Sequence, residues 1–337
     1  MSNINVGVIG YGYWGPNIVR NFFGNSACTV KIVADGRPER LNMLAKIFPS
    51  IQGVKDADDI IKSKDIDAVV IATPVFTHFS IAKRALLQGK HVLIEKPMTS
   101  SVEEADELIN LATQKGLTLM ADHTFLYTGA VQKMKEIIDT QVIGTPLYFD
   151  SSRINLGLFQ PDINVLWDLA PHDISILTYL ITEVPESINA TGISHTRNQI
   201  ENIAYLTVNY NSSFIAHFTC SWSSPVKVRQ TLIGGDKKMI LYNDLEPSEK
   251  VRVYDTGYNH KTEEDKTRIM VDYRTGDVYI PKLSSREALA GVADDFLQSV
   301  LQNKLPLSNA LLGRSVVQIL EASQQSIKNS GKEIRIK

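Results

Sequence analysis

Val6-Gly7-Val8-Ile9-Gly10-Tyr11-Gly12-Tyr13-Trp14-Gly15 is the stretch on which the fold of this chain turns. A short β-rich run ends in a glycine, and Gly10, Gly12 and Gly15 then stand in G-x-G-x-x-G spacing. The spacing alone is weak evidence. Its setting, after a strand pattern and before the helical pattern Trp14 to Phe23, makes it a dinucleotide fingerprint. The first glycine permits a tight turn, the second lets a pyrophosphate reach the backbone, and the third lets helix and strand lie close. The unpaired N–H groups at the helix start would face the phosphates. Tyr13 and Trp14 read equally well as packing groups or as rings that stack on the cofactor.

Outward from that loop, strands and helices alternate. Val30 to Ala34 is a second strand ending at Asp35, Pro38 to Phe48 a helix, and Ala68 to Ala72 a fully apolar strand. A helix through Ile81 to Leu87, a strand His91 to Ile94, a helix Ser101 to Thr113 capped by Thr99 or Ser100, and a strand Thr118 to Ala121 complete the series. Apolar strands alternating with helices predict a parallel sheet covered on both faces, an α/β Rossmann domain over residues 1–121. The pattern then changes. Alternating runs such as Ala204 to Val208 and Phe214 to Phe218 suit antiparallel strands with one wet face. Helices are expected near Ala130 to Ile138, from about Trp167, over Glu287 to Gln302 and over Leu311 to Lys328. Residues 122–337 therefore read as an α+β domain with one large, open, mostly antiparallel sheet, serving substrate binding and oligomerisation.

Composition narrows the function classes. At 337 residues the chain exceeds one ordinary core, so two domains are expected. Its net charge of −2, with no basic stripe, argues against nucleic acid and anionic membranes. No apolar stretch approaches the roughly 18 residues of a membrane helix. The N-terminus enters an apolar run at Ile4 with no basic segment ahead, a first strand rather than a signal peptide. Cys28 and Cys220 lack metal-site spacing and read as free thiols, so a cytoplasmic location is expected.

Several side chains stand where chemistry is expected. Asp35, twenty residues beyond Gly15, can accept both ribose hydroxyls and would repel a 2′-phosphate, favouring NAD over NADP; Arg37 close by could instead take that phosphate. Glu95-Lys96-Pro97 follows a strand, and strand C-termini face the ligand crevice in such sheets. Asp168 and His172 are four apart, on one helix face. An acid beside a histidine can orient the ring and raise its basicity.

These motifs resemble the Gfo/Idh/MocA oxidoreductases, named for glucose–fructose oxidoreductase and inositol dehydrogenase. The resemblance rests on GYGYWG, on ATPVFTH through KHVLIEKPM, and on the aspartate–histidine pair, and spans essentially the whole chain. It implies a Rossmann domain followed by an open-faced sheet, and oxidation of a sugar or polyol hydroxyl with hydride passing to nicotinamide, or the reverse. Lys96, Asp168 and His172 match the family's catalytic lysine, aspartate and histidine. His172 is the expected base, Lys96 the cation at the hydroxyl, and Asp168 the group that orients His172; which of Lys96 and His172 moves the proton stays open. The resemblance also implies that Thr73, Pro74, His78 and Glu95 line the cofactor. His123, Arg153 and Asn155 are candidate substrate contacts, Arg153 as a clamp for a diphosphate or, equally, as one side of a plain surface salt bridge.

Resemblance to members from surface-polysaccharide and lipid A pathways suggests a UDP-linked N-acetylamino sugar, UDP-N-acetylglucosamine or its uronic acid, oxidised at the 3-hydroxyl. A homodimer or homotetramer is implied too. Four other readings stay open: an inositol or free-sugar dehydrogenase, a glycosidase using bound NAD transiently, a dinucleotide-binding regulator, and a metal hydrolase on His123, Asp168 and His172. The last has no use for Glu95-Lys96-Pro97, and no metal is expected.

Overall fold

A run of buried residues at every position of one strand needs cover on both faces, and the first half of the chain supplies it. The computed structural model describes residues 3–157, 159–255, 257–259 and 272–336. These divide into two units: Met1–Thr128 with Arg286–Gln318, and Gly129–Ser285 with Ile319–Lys337.

In the first unit, β1 (Ile4–Ile9), β2 (Cys28–Ala34), β3 (Gln52–Val54), β4 (Ala68–Ile71), β5 (His91–Glu95) and β6 (Leu119–Asp122) form a six-stranded sheet. Its order is β3-β2-β1-β4-β5-β6 and every pairing is parallel. Helices α1 (Gly15–Phe23), α2 (Pro38–Ile47), α3 (Ala57–Ile61), α4 (Val75–Leu87) and α5 (Val102–Lys115) make the crossovers. All four residues of β4 are buried. The strand order reverses between β1 and β4, the place where open α/β sheets bind ligands. The cap of α5 is Ser101, whose side chain accepts from the Glu104 N–H, and not Thr99 or Ser100; Glu104 reaches back to the Ser100 N–H, a reciprocal pair that fixes the helix start.

The single cut expected at residue 121 is replaced by a chain that returns. Helix α8 (Ala288–Gln302; the helices between are given below) buries Leu289, Val292, Ala293, Phe296 and Leu297 in the same core cluster as Ile18, Phe22 and Val30. That spacing is one face of a helix. The face finds its cover on α1, with Phe22 and Phe296 edge to face at 6.3 Å. Periodicity shows that such a face exists, but not which partner it will choose.

The second unit is built on a nine-stranded sheet. Its strands are β7 (Pro146–Leu156), β8 (Ser187–Ile193), β9 (Ile203–Asn209), β10 (Ile215–Ser221), β11 (Ser223–Gly235), β12 (Met239–Asn243), β13 (Val251–Tyr254), β16 (Val278–Tyr279) and β17 (Ile334–Arg335). The order is β16-β13-β12-β11-β7-β10-β9-β8-β17, antiparallel throughout except for β7 against β10. A small two-stranded pair, β14 (Gly257–Asn259) and β15 (Asp272–Arg274), stands apart. Helices α6 (Gly129–Asp139) and α7 (Val165–Leu180) and the end of α9 (Ala310–Lys328) belong to this unit. On β7, Phe149, Ser151 and Arg153 are buried, alternating with the less buried Tyr148, Asp150 and Ser152. Helix α7 packs on β7, β9 and β10. Asp150, His217 and Thr207 share one row across the sheet, next to a row holding Tyr205, whose ring stacks on His217 at 6.4 Å.

Both cysteines are free and buried, and burial pushes their thiols up, Cys28 to about 12. Among the described residues no helix is long and apolar enough to cross a membrane.

Candidate active site

The glycine loop is built so that side chains cannot intrude. Gly10 has φ +101°, and a Cβ there would lie 2.5 Å from the Ala72 carbonyl oxygen; a Cβ on Gly15 would lie 2.5 Å from the Gly10 oxygen. Only glycine serves at either position. Trp14 caps α1 without a side-chain hydrogen bond. The helix start therefore keeps the donor character that suits a phosphate. The tyrosine buried in the loop is Tyr11, whereas Tyr13 is 85% and Trp14 49% exposed, their rings edge to face at 5.6 Å. A core-packing role for those two is thus removed.

Asp35 stands at the end of β2, where its Oδ2 accepts from the Tyr11 N–H at 2.8 Å. Arg37 grips the same carboxylate, donating from its N–H at 3.0 Å, from Nε at 2.9 Å to Oδ1, and from Nη2 at 2.9 Å to Oδ2. Burial by itself pushes the Asp35 carboxyl up, but these hydrogen bonds and the Arg37 charge outweigh it and the net shift is down. A Cβ on Gly12 would be 3.6 Å from Arg37 Nη2, so the guanidinium lies over the loop. Turn, open helix start and ribose-side carboxylate together fit a dinucleotide.

Thr73 and Pro74 follow β4, as expected of a cofactor-lining segment. His78, expected to line the cofactor, is buried instead, with Nε2 at 2.8 Å from the Thr73 oxygen and Nδ1 at 2.9 Å from the Pro97 oxygen. Burial pushes its pKa down against the pull of those carbonyls. Its role in the structure is a strut between the ends of β4 and β5.

Past β5, Glu95 Oε2 accepts the Lys96 N–H at 3.1 Å, and the Lys96–Pro97 peptide is cis. Glu95 and Asp122 are register partners on β5 and β6. Burial and the Asp122 charge push the Glu95 carboxyl up to about 8 against the opposing pull of Lys96. Burial pushes Asp122 up to about 6, moderated by the Thr124 hydroxyl at 2.6 Å and by Lys96. His123 is buried, and burial with the Lys96 charge drives its pKa down to about 3. Asp122 carries no periodicity signal of its own, and its pairing with Glu95 appears only once strands are in register.

In the second unit, α7 is capped by Asn164, whose Oδ1 accepts from the Leu166 and Trp167 N–H groups at 3.1 and 3.2 Å. The helix thus begins at Val165, two residues earlier than its expected start, and contains Pro171. Asp168 Oδ2 accepts from Trp222 Nε1 at 3.0 Å, a contact 54 residues distant in sequence and unreadable there. Trp222 is buried against Phe159 at 5.6 Å. Asn155, near the end of β7, has its amide nitrogen 3.2 Å from where a Gly157 Cβ would stand, and Trp222 lies beside the same glycine. Arg153 corrects an expectation. It is 3% exposed, with Nε and Nη2 each 2.7 Å from an Asp173 oxygen. A guanidinium so engaged locks α7 to β7 and is not presented to a diphosphate. Among the described residues no cluster of metal-ligating side chains occurs.

Two family models account for most of the chain. Residues 4–123 match the oxidoreductase family with NAD-binding Rossmann fold, and residues 131–241 match the GFO/IDH/MocA C-terminal domain. The chain belongs to the Gfo/Idh/MocA oxidoreductases, and it is an NAD-dependent enzyme. It is 26% identical to UDP-N-acetylglucosamine 3-dehydrogenase of Acidithiobacillus ferrooxidans over 94% of this chain and 95% of that protein. The solved structure of that protein matches with a TM-score of 0.82, over 98% of this chain and 100% of the other. A 2,7-anhydro-N-acetylneuraminate hydratase of Escherichia coli is 26% identical over 74% of this chain and 70% of its own. Levoglucosan dehydrogenase in complex with NADH and levoglucosan shares the fold, with a TM-score of 0.82 at 20% identity, over 99% of this chain and 100% of the other.

Proposed function

We propose that this chain oxidises a secondary hydroxyl of a sugar to a ketone, the 3-hydroxyl of a UDP-linked N-acetylamino sugar, with NAD as hydride acceptor. The observation that carries the dehydrogenase reading is Lys96 at the carboxyl edge of the parallel sheet, just after β5 and among Glu95, Asp122 and His123. Bound NAD supplies the acceptor for hydride; Gly10, Gly12, Gly15 and Asp35 hold it. Lys96 as a cation holds the hydroxyl and stabilises developing alkoxide charge. His172 is the second candidate, beside Lys96, for moving the hydroxyl proton. Asp168, anchored by Trp222, is the positioning residue on its helix. His123 and Asn155 remain candidate sugar contacts. The near full-length similarity to a nucleotide-sugar 3-dehydrogenase favours that substrate class. Binding energy from the nucleotide would position the ring for hydride transfer.

The test is NADH absorbance of the purified protein with UDP-N-acetylglucosamine, its uronic acid, inositol and a free hexose. The UDP-sugars should react. Efficient reaction of inositol or the hexose, with the UDP-sugars neither reacting nor inhibiting, would overturn the substrate class and leave the dehydrogenase. The similarity to a hydratase favours one second reading, a reaction without net redox change, in which product forms while NADH does not accumulate. We also propose a homodimer or homotetramer. The open sheet face exposes Tyr148, Tyr205 and Ile215, and a second copy would cover them. A monomeric mass at micromolar concentration overturns this.

A further inference from the structure

Three polar side chains meet at the carboxyl edge of the first unit's sheet: Glu95, Asp122 and His123. As register partners on parallel strands, Glu95 and Asp122 leave the sheet on the same side, from backbones about 4.8 Å apart. Two carboxylates so placed, Asp122 buried and Glu95 half-buried, do not both ionise readily. Compensation is partial. Thr124 donates to Asp122 Oδ1, the Lys96 N–H donates to Glu95, and Lys96 brings a positive charge. Asp122 Oδ2 and both ring nitrogens of His123 have no hydrogen-bond partner among the described residues. A buried polar atom left this way needs an explanation, and a catalytic role is one.

Three further titratable groups face the cluster among the described residues. The Tyr127 hydroxyl donates to Asp295 of α8 at 2.7 Å. His78 of α4, facing Lys96, has both ring nitrogens against carbonyl oxygens. His123 is held neutral by burial and Lys96. These three groups are engaged elsewhere or neutral, whereas the carboxyl pair stands beside Lys96, whose N–H donates to Glu95.

We propose that Glu95 and Asp122 work as one acid that keeps a single proton at rest and takes a second from Lys96, freeing the amine to remove the proton of the substrate hydroxyl. The inference rests on the dehydrogenase reading. An N–H bond of the Lys96 ammonium breaks and an O–H bond forms on the carboxylate of the pair. The neutral amine then accepts the hydroxyl proton. The O–H electron pair becomes the second C–O bond, and the C–H pair leaves with its hydrogen as hydride to oxidised NAD. Lys96 ends as the ammonium it began as, and the pair has gained one proton. Glu95 and Asp122 act through Lys96 and are positioning residues.

Infrared difference spectra of the full chain, titrated with and without NAD, read the carboxyl C=O stretch directly. One carboxyl should lose its proton well above the ordinary carboxylate range, and that band should vanish in Glu95→Gln. In kcat/KM against pH, Glu95→Gln and Asp122→Asn should each lower the value near neutrality by about 10²-fold and move one limb of the profile, with NAD affinity retained. A wild-type protein in which no carboxyl titrates above that range overturns the proposal without any variant. Variants with wild-type pH profiles and wild-type kcat/KM overturn it as well. A wild type that reduces NAD with no sugar overturns the dehydrogenase reading instead, while the infrared titration still decides whether the pair holds a proton.

Discussion

The two units bury charge in opposite ways. In the second, Arg153 and Asp173 meet through two parallel 2.7 Å hydrogen bonds, with both side chains almost fully enclosed. In the first, Glu95 and Asp122 set two acids against each other, beside a histidine whose ring nitrogens are unpartnered among the described residues. The first arrangement is complementary in sign and geometry and fixes a helix to a sheet. The second opposes its own ionisation, and strain of that kind persists where it tunes a reactive group. Burial of a charge therefore says little until its partner is known. Sequence inspection put Arg153 and Lys96 in the same class, as cations waiting for a ligand, and the partners separate them.

The sharpest way to break the contrast is at the reactive end. Lys96→Ala and His172→Ala should each lower turnover by about 10²- to 10⁴-fold, measured with whichever sugar proves active. NAD affinity of His172→Ala should stay close to wild type. Near-normal turnover in both variants would remove the site assignment.

Arg153→Met probes the opposite end. It strands Asp173 in the interior, and breaking such a pair costs about 3–5 kcal/mol. The thermal midpoint should drop sharply, and Arg153→Met with Asp173→Leu should recover most of it. An Arg153 variant of unchanged stability but raised KM would make the residue a ligand contact after all.

A third prediction uses pH. The folded carboxyls of Glu95 and Asp122 lie above their unfolded values, at about 8 and about 6. The folded state then holds more protons than the unfolded one. Their stabilising contribution is present below about pH 4 and is lost as pH rises through 6 to 8. Thermal midpoints of the cofactor-free protein at pH 5 and pH 9 should differ more for wild type than for Glu95→Gln. Identical differences would show that Glu95 ionises normally.

The smallest effect is expected at the ribose end. Asp35→Ala should narrow a preference for NAD over NADP, read from the two dissociation constants, because the carboxylate that repels a 2′-phosphate is gone. Equal NADP binding by the wild type would mean that Arg37 leaves Asp35 to take the phosphate.

Features that depend on local pattern are legible in the residues themselves. Gly10, Gly12 and Gly15 announce the loop because only glycine tolerates that turn and those approaches. Fully apolar strands announce a covered parallel sheet because side chains alternate faces and both need cover. Lys96 and the Asp168–His172 pair are legible as motifs at short spacing. Tertiary structure alone decided the partners. Asp173 is twenty residues from Arg153, Trp222 is 54 from Asp168, and Asp122 lies on a separate strand from Glu95. The return of 286–318 to the first unit was decided in the same way. A periodic apolar face must be buried, and a buried charge must be matched, but neither demand names the surface or the group that meets it. That choice is made by register and packing between segments far apart in the chain.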